Sequence, residues 1–350
     1  MRTIFVTGGC GFIGSHFVRL LLRRKDWRVV NIDKLTYAGN IENLRDVEVN
    51  SNYRFVKGDI ADSVLINDLL QEEKPWAVVN FAAESHVDRS VLDSSPFLQT
   101  NVIGVQVLLE SSRRYKIERF LQISTDEVYG DADRKEPFHE ESPLSPSSPY
   151  AASKAAADLL CLAYRRTYGI PILIVRSSNN CGPFQFPEKL IPLMIRNALI
   201  GKELPMYGDG LQRRDWLYVE DNIEAIFSIL EMGEIGSTYN VATGQERTNS
   251  EVVHSLCRLL SEETGLNLND LIGRIKSVPD RPGHDRRYAL NTERVRREIG
   301  WSHRFSFEEG LKKTVRWYLD NQDWVERATS GEYQDYYEAV YRYAWGRSPK

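Results

Sequence analysis

Two adjacent carboxylic acids, Asp126 and Glu127, follow a short apolar run typical of a buried strand, in the segment Ser-Thr-Asp-Glu-Val-Tyr-Gly. Two neighbouring carboxyls cannot both ionise cheaply, so one pKa rises, and burial raises it further. The pair could therefore act as a matched acid and base, whereas a solvated polar turn is the plain structural alternative. Adjacent residues of a regular strand point to opposite faces, so a shared role predicts that the chain leaves extended geometry near Thr125.

Tyr150 and Lys154 form a second chemical pair, because residues four apart share one face of a helix. A free tyrosine has a pKa near ~10, too high for a base at neutral pH. A nearby ammonium, together with a nicotinamide cation, would favour the phenolate. Tyr150 could then take the proton from a substrate hydroxyl while hydride leaves for NAD. Surface helices also carry such pairs without any catalytic role.

A glycine-rich turn near the N-terminus predicts a dinucleotide site. The segment Val-Thr-Gly-Gly-Cys-Gly-Phe-Ile-Gly fits G-x-G-x-x-G as Gly9, Gly11 and Gly14, and G-x-x-G-x-x-G with Gly8 in first place. Glycines there let the backbone approach a pyrophosphate at a helix N-terminus. Asp33 follows Gly14 by 19 residues, where an acid binds the adenosine ribose hydroxyls. Because this acid disfavours a 2′-phosphate, the predicted cofactor is NAD.

The elements that must position these motifs predict a doubly wound parallel-sheet (Rossmann) domain. Nearly continuous apolar strands separated by helices indicate a parallel sheet covered on both faces. The predicted strands are 2–7, 27–33, 53–59, 76–82, 119–125 and 170–177, and the predicted helices are about 12–24, 61–73, 97–115 and 150–168.

The chain is expected to divide into two parts. Residues 1–178 would form the NAD-binding domain, and 221–243 would return to it as a helix and a strand. The pattern is less regular elsewhere, so 179–220 and 244–350 are expected to form a smaller C-terminal α/β substrate-binding lobe.

Composition bounds the class of protein. The chain has 350 residues, 42% of them apolar and 27% charged, which is typical of a globular protein. A net charge of -4 gives no basic footprint for nucleic acid. No apolar run approaches the ~18 residues of a membrane span, and a strand at 2–7 leaves no room for a signal peptide. We expect a cytoplasmic protein without nucleic-acid or membrane partners.

Cysteines and histidines show no metal-ligand spacing, so no metal site is expected. The cysteines instead predict buried reduced thiols. They are Cys10, Cys161, Cys181 and Cys257.

Together the three motifs resemble those of the extended short-chain dehydrogenase/reductases, and the resemblance is closer still to the dTDP-glucose 4,6-dehydratases. It covers nearly the whole chain, since further blocks match that family in the same order. These blocks are DKLTYAGN (33–40), AAESHVDRS (82–90), FPEKLIPLMI (186–195), RDWLYVEDN (214–222) and DRPGHDRRYA (280–289).

The resemblance implies conversion of dTDP-glucose to dTDP-4-keto-6-deoxyglucose. NAD takes hydride from C4, the ketone acidifies the C5 proton, water leaves across C5–C6, and hydride returns to C6, so NAD is recycled. The resemblance makes Asp126 the acid and Glu127 the base. Thr125 or Ser124 would hydrogen-bond the 4-oxygen beside Tyr150.

The motifs and the resemblance assign a set of cofactor-binding residues along the carboxyl edge of the predicted sheet, with Asp59 expected to accept from the adenine amino group. The set is Gly8, Gly11, Phe12, Ile13, Gly14, Asp33, Lys34, Leu35, Thr36, Asp59, Ile60, Ala82, Ala83, Ser85, Thr100, Ser124, Tyr150, Lys154 and Asn180.

The resemblance also implies a substrate-binding set. Arg214 and Arg281 are the diphosphate candidates, because a guanidinium pairs with phosphate oxygens bidentately. The full set is Ser85, His86, Thr125, Asn179, Glu188, Lys189, Leu190, Pro205, Tyr207, Arg214, Asn249, Arg281 and His284. A homodimer is implied as well, through a four-helix bundle of the helices at 97–115 and 150–168. Which nucleotide base is preferred stays open.

One departure and three alternatives remain. The family usually has an aromatic residue where this chain has Cys181, which we expect to be a small apolar filler. A nucleotide-sugar 4-epimerase or decarboxylase would share Tyr150 and Lys154 but would not need both carboxylates. A GDP-mannose-type dehydratase would have Ser in place of Asp126. A non-catalytic NAD-binding regulator would keep the glycines and Asp33 but could lose Tyr150, Lys154 or the two carboxylates.

Overall fold

Each strand predicted from an apolar run in residues 1–178 is present in the protein. The computed structural model describes residues 1–133 and 136–330, so part of the expected lobe, 331–350, lies outside the described residues. The described strands are β1 (Arg2–Thr7), β2 (Trp27–Asp33), β3 (Tyr53–Lys57), β4 (Ala77–Asn80), β5 (Arg119–Thr125), β6 (Ile172–Ser177), β7 (Asn179–Cys181), β8 (Leu204–Tyr207), β9 (Arg213–Tyr218), β10 (Thr238–Val241), β11 (Glu246–Thr248) and β12 (Ile275–Val278).

The helices alternate with the strands in the first half of the chain. They are α1 (Phe12–Arg23), α2 (Ser63–Glu73), α3 (Val87–Leu92), α4 (Ser95–Leu98), α5 (Val105–Arg114), α6 (Pro149–Tyr168), α7 (Leu190–Leu199), α8 (Val219–Met232), α9 (Asn249–Thr264), α10 (Leu268–Gly273), α11 (Phe307–Asp320) and α12 (Gln322–Ala328).

Seven strands form one parallel sheet, in the order β10-β6-β5-β4-β1-β2-β3. Most residues of its strands other than the edge strand β3 are buried, because both faces of the sheet are covered. Helices α1 and α8 pack on one face, and α2, α5 and α6 pack on the other. The predicted doubly wound α/β fold is confirmed.

The helix predicted at about 97–115 differs in detail from the structure. Between α4 and α5, residues Gln99–Gly104 form a π-helical turn. There the side chain of Asn101 accepts a hydrogen bond from the backbone N–H of Glu84 at 2.9 Å and donates one to Oγ of Ser153. Such a widened turn re-aims a side chain, and this one ties the helix to two segments that line the site described below.

A smaller part of the molecule contains a three-stranded sheet, β11-β9-β7, and a two-stranded sheet, β12-β8. Helices α7, α9 and α11 enclose its separate apolar core, which includes Cys181. Strand β10, which follows α8, pairs with β6 and so extends the large sheet.

Helix α6 begins where capping residues require it. The side chain of Ser148 accepts from the backbone N–H of Ala151, and Pro149 occupies the first turn, where its missing N–H costs nothing. Gly169 ends the helix in the left-handed conformation. This start places Tyr150 in the first turn and Lys154 one turn later, beside the end of β5.

Three further observations concern the part of the chain that the structure describes. None of its helices has the length and apolar character needed to cross a bilayer. None of its groups of His, Cys, Asp or Glu is arranged to hold a metal ion. The prediction of buried thiols is confirmed, because all four cysteines are free and buried.

Candidate active site

A cavity of about 420 Å³ lies along the carboxyl edge of the parallel sheet and extends to the smaller part of the molecule. Every predicted site residue except Leu35 lines it. The prediction is wrong for Leu35, which does not line the cavity: its N–H donates to Oδ1 of Asp33 at 2.8 Å, and its side chain packs against the core. Because parallel strands all end at one edge of the sheet, residues that are distant in sequence meet in this cavity.

The glycine turn forms the cofactor end of this cavity, which we define by Gly8–Gly14 and the ends of β2, β3 and β4. Gly8 has a φ of +69°, and a Cβ on it would lie less than 3.0 Å from the backbone of Ala82. A Cβ on Gly14 would lie equally close to the backbone of Gly8. Gly9 packs on Asn31 instead, so the pattern of Gly8, Gly11 and Gly14 describes the lining.

Asp33 ends β2 and is held by the backbone. Its Oδ2 accepts from the N–H of Cys10 at 2.9 Å and its Oδ1 from the N–H of Leu35. Burial raises the pKa of this carboxyl, and the two hydrogen bonds partly offset the rise. The remaining lone pairs can accept from hydroxyl groups such as those of a ribose.

Asp59 has a partner that the sequence did not indicate. Its Oδ2 lies 2.7 Å from Nζ of Lys34, and its Oδ1 accepts from the N–H of Ala61. Burial opposes ionisation, but Lys34 holds the pKa of Asp59 below its usual value. Each oxygen of the Asp59 carboxylate thus already has one partner, so fewer lone pairs remain for the expected contact with an adenine amino group.

The residues of the cofactor end fit a dinucleotide. The turn at Gly8 and Gly14 has no space for side chains, as a close approach of pyrophosphate to backbone requires. The hydroxyl of Ser124 is buried at the cavity wall without a hydrogen-bond partner among the described residues. Asp33 offers an acceptor where the second strand ends.

The predicted change of backbone geometry after β5 is confirmed. Thr125 is extended, with φ -145° and ψ 155°, and a 3-10 turn begins at Asp126. The hydroxyl of Thr125 accepts from the N–H of Glu127 at 3.3 Å and donates to Oδ1 of Asp126 at 3.2 Å. The turn brings both carboxyls to the cavity, where a regular strand would have separated them.

Asp126 has the environment of a neutral carboxylic acid. It is only 3% exposed, and its Oδ2 is buried without a partner in the part of the chain that the structure describes. Burial, assisted by the charge of Glu127, raises its pKa to about 8, although Arg214 partly opposes the rise. The predicted raised pKa of one carboxyl is therefore confirmed for Asp126.

Tyr150 and Lys154 are both buried at the cavity wall. Burial and the charge of Glu127 raise the pKa of Tyr150, while a hydrogen bond with Thr125 lowers it. Nζ of Lys154 donates to the carbonyl of Ile123 at 2.6 Å, and burial lowers its pKa to about 8. Burial and Glu127 dominate the pKa of Tyr150 in the protein alone, and the expectation that Lys154 together with a nicotinamide cation favours the phenolate stays a prediction.

Charged side chains from several segments form the substrate end, which we define by residues 185–193, 205–216, 249 and 281–284. Arg214 is 4% exposed, stacks on Tyr288 at 4.0 Å, and donates to the carbonyl of Asp285 at 2.9 Å. Burial lowers its pKa. Arg281 has a buried Nε without a partner among residues 1–133 and 136–330. An anionic group between Arg214 and Arg281 would replace the water that the two guanidinium groups lose on burial.

Asp88, which sequence reasoning missed, organises the same end. It accepts from the hydroxyl of Tyr207 at 2.9 Å and from Nη1 of Arg281 at 3.4 Å. Nδ1 of His284 lies 2.6 Å from Oδ1 of Asp280, yet burial and Arg281 lower the pKa of His284 to about 4. The block AAESHVDRS contained Asp88, but no spacing rule singled it out.

Glu188 and Lys189 contact the segment after β4. Nε of Arg89 donates to Oε2 of Glu188 at 3.2 Å, and Nζ of Lys189 donates to the carbonyl of Ser85 at 2.7 Å. His86 is buried beside them, and burial lowers its pKa. Arg89 was also missed, because a lone arginine on a short helix resembles a surface residue.

The two asparagines after β6 lie in strand β7 and not in a turn. Asn180 donates to the carbonyl of Ser178 at 2.9 Å and accepts from Nδ2 of Asn222 at 2.9 Å. Asn179 lines the cavity beside it. Cys181 is 1% exposed in the smaller core, and burial raises its pKa to about 12, which confirms its expected role as a filler.

The parallel sheet, the glycine turn and the buried Tyr150–Lys154 pair define a dinucleotide-dependent protein of the extended short-chain dehydrogenase/reductase class. A family model described as GDP-mannose 4,6 dehydratase matches residues 5–314. The dTDP-glucose 4,6-dehydratase of Xanthomonas campestris pv. campestris (strain B100) is 50% identical over 347 residues, which cover 95% of this chain and 98% of that protein. The chain belongs to the dTDP-glucose 4,6-dehydratase family.

Solved structures agree with this assignment. DesIV, a dTDP-glucose 4,6-dehydratase from Streptomyces venezuelae determined with NAD and TYD bound, matches with a TM-score of 0.88 and 45% identity, covering 93% of this chain and 99% of that one. The UDP-glucose 4-epimerase of Thermus thermophilus in complex with NAD matches with a TM-score of 0.81 and 31% identity, covering 91% and 99%.

Proposed function

We propose that this protein converts dTDP-glucose to dTDP-4-keto-6-deoxyglucose, as an NAD-dependent lyase that recycles its cofactor. The observation that carries the proposal is the buried, raised-pKa carboxyl of Asp126 beside Glu127, in one cavity with Tyr150 and Lys154. Oxidation at C4 requires only the pair of Tyr150 and Lys154. Elimination of water also requires an acid and a base, which this site supplies.

The cofactor end holds the dinucleotide through the Gly8–Gly14 turn and Asp33, with Lys34, Thr36, Asp59 and the segments 82–85 and 100 around it. When bound, NAD supplies a hydride acceptor for C4 and a hydride donor for C6. Tyr150 takes the proton of the C4 hydroxyl, and Thr125 or Ser124 donates a hydrogen bond to that oxygen. Burial and Glu127 raise the pKa of Tyr150 in the protein alone, so loss of its proton requires the positive charges of Lys154 and of the bound nicotinamide together.

Asp126 and Glu127 then divide the elimination between them. Glu127 removes the C5 proton, which the neighbouring C4 ketone has made acidic, and returns a proton to C5 when hydride adds to C6. Asp126 donates its proton to the C6 hydroxyl, so that the C–O bond breaks and water leaves. A carboxyl with a pKa of about 8 still holds this proton at neutral pH.

The substrate end binds the nucleotide diphosphate. Arg214 and Arg281 are placed to neutralise the phosphates. Other residues of the cavity wall contact the sugar and the nucleoside. We assign 1–178 and 221–243 to the cofactor domain, and 179–220 with the described part of 244–350 to the substrate lobe. The separate apolar cores and the pairing of β10 with β6 support this division.

A substrate panel tests the proposal. The purified protein is incubated with dTDP-glucose, UDP-glucose and GDP-mannose, and products are identified by mass spectrometry and NMR. With dTDP-glucose we expect a product about 18 Da lighter, the mass of one water, with the alkali-labile ultraviolet absorbance of a 4-keto sugar and no net NADH. Formation of the C4 epimer, or no product from any nucleotide sugar, would refute the proposed dehydratase.

We further propose that the protein forms a homodimer through a four-helix bundle built from the helices of 97–115 and 150–168. Apolar side chains of these helices are exposed in the single chain: Leu98, Ile103, Leu159 and Leu162. Sedimentation of the wild type and of Leu159→Glu with Leu162→Glu tests this proposal, with a dimer expected for the former and a monomer for the latter. The free cysteines support action in a reducing cytoplasm, which cell fractionation would test.

A further inference from the structure

The segment that follows Asp33, residues 34–40, touches both ends of the cavity. Lys34, Thr36 and Gly39 line the cofactor end. The loop is folded onto Asp33, because the N–H of Leu35 donates to its carboxylate and a Cβ at Gly39 would lie 2.7 Å from its Oδ1. The conformation of this loop is therefore linked to the carboxylate that binds the ribose in the proposed function.

Tyr37 projects from this loop toward the substrate end. Its ring lies under the guanidinium of Arg89, with 3.8 Å between Cζ and the ring centroid. It also makes an edge contact with Phe186, at 5.6 Å between centroids. Its hydroxyl is buried near Glu188, and burial, helped by the charge of Glu188, raises the pKa of Tyr37. The ring therefore makes the packing contacts.

Arg89 continues the connection to the substrate end. Its Nε donates to Oε2 of Glu188, whose side chain is 2% exposed. Glu188 lines the cavity next to Lys189. A contiguous path thus runs from Asp33 through the backbone of the 34–40 loop and then through the side chains of Tyr37 and Arg89 to Glu188.

We propose that Tyr37 is a positioning residue that couples the two ends of the cavity, so that a nucleotide diphosphate at the substrate end slows release of the dinucleotide. A ligand that orders Glu188 and Arg89 also holds the Tyr37 ring, and with it the loop beside Asp33. By thermodynamic linkage the dinucleotide must strengthen binding of the nucleotide diphosphate by the same factor. Such coupling would retain a cofactor that is changed and restored within each turnover. The inference rests on the proposed function.

The test measures release of radiolabelled NAD from the holoenzyme in a chase with unlabelled NAD, with and without dTDP. For the wild type we expect dTDP to slow release about tenfold, within the usual range of coupling between two sites. In Tyr37→Leu and in Arg89→Met the slowing should fall below about threefold. Tyr37→Phe keeps the ring with its Arg89 and Phe186 contacts, and should keep the full effect.

Arg24→Met is the matched control, because Arg24 also pairs with a glutamate and stacks on an aromatic ring. It donates to Glu224 at 2.7 Å and lies 4.0 Å from the Phe227 centroid, away from the cavity. This variant should behave as the wild type. If Tyr37→Leu does not fold, Arg89→Met tests the same contact from the other side.

Equal slowing by dTDP in the wild type and in both disrupting variants would overturn the inference, as would the absence of slowing in the wild type. Loss of the effect in Tyr37→Phe would show that the ring is not the coupling element. Turnover of dTDP-glucose by the wild type is measured separately. A wild type that converts this substrate but shows no coupling overturns the inference and leaves the proposed function intact.

Discussion

The two ends of the cavity are built from different chemical groups. At the cofactor end the backbone sets the geometry: a glycine turn has no space for side chains, and two backbone N–H groups hold Asp33. At the substrate end the wall is made of side chains, among them the charged Arg214 and Arg281, from segments far apart in sequence. The first end depends on local conformation, whereas the second depends on how separate segments pack.

Asp126 resembles Asp33 in its burial and differs from it in its hydrogen bonds. Like Asp33, it follows the end of a parallel strand and is buried. Asp33 accepts from two backbone N–H groups, whereas Oδ1 of Asp126 accepts from the hydroxyl of Thr125 and its Oδ2 has no partner among the described residues. The same residue type is thus an acceptor held by backbone N–H groups in one place and, in the proposed function, a proton donor in the other, because the hydrogen-bond environment differs.

Replacement of the acid should have the largest effect. For Asp126→Asn we expect kcat to fall by about 10²–10⁴-fold, because the C6 hydroxyl loses its proton donor. Reduced cofactor should accumulate, since oxidation at C4 still proceeds; absorbance at the NADH band measures this. Asp68→Asn, an exposed position on α2, is the control. Full turnover by Asp126→Asn would rule out its role as the acid.

Loss of one substrate-end arginine should weaken nucleotide binding selectively. For Arg281→Met we expect KM for dTDP-glucose to rise about 10–100-fold, since charged hydrogen bonds contribute about 1.5–3 kcal/mol. The change in kcat should be small, and NAD content should be unchanged. Arg286→Met removes an exposed ion pair with Asp209 in the same segment and is the control. If Arg281→Met also lost NAD to a similar extent, the two ends of the cavity would not bind their ligands separately.

A side chain in the glycine turn should affect the cofactor end alone. Gly8→Ala forces a φ of +69° on alanine and a contact with Ala82, so we expect NAD affinity to fall about tenfold or more. Gly201 has a φ of +74° with open space around it, so Gly201→Ala imposes similar backbone strain without that contact. Calorimetry with NAD and with dTDP compares the variants. Unchanged NAD affinity in Gly8→Ala would contradict this assignment.

The same Asp126 carboxyl should also affect the free energy of unfolding. Below about pH 4 Asp126 is protonated in both the folded and unfolded states. Between pH 4 and about 8 the unfolded chain loses this proton while the folded protein keeps it, so stability falls as pH rises. Asp126→Asn lacks this penalty and should gain about 1–3 kcal/mol at pH 7. Denaturant unfolding at pH 4 and pH 7 checks this; an equal difference at both pH values would contradict it.

Much of the fold could be predicted because its signals are local. The strand at 119–125, the capped start of α6 and the glycine turn each depend on a few neighbouring residues. Contacts such as Lys34–Asp59 and Tyr207–Asp88 could not be predicted, because they join segments that only the folded chain brings together. The π-helical turn at Gln99–Gly104 was not predicted for the same reason, since Asn101 is held there by Glu84 and Ser153.

The amino-acid sequence by itself determined the parallel α/β architecture, the glycine turn with Asp33, and the adjacency of Asp126 and Glu127. These depend on periodicity and on neighbouring residues. Only the tertiary structure decided that Asp126 is the carboxyl with the raised pKa, and that burial and Glu127 keep Tyr150 protonated in the protein alone. The physical reason is that a pKa depends on burial and on charges from distant segments, which a linear sequence does not display.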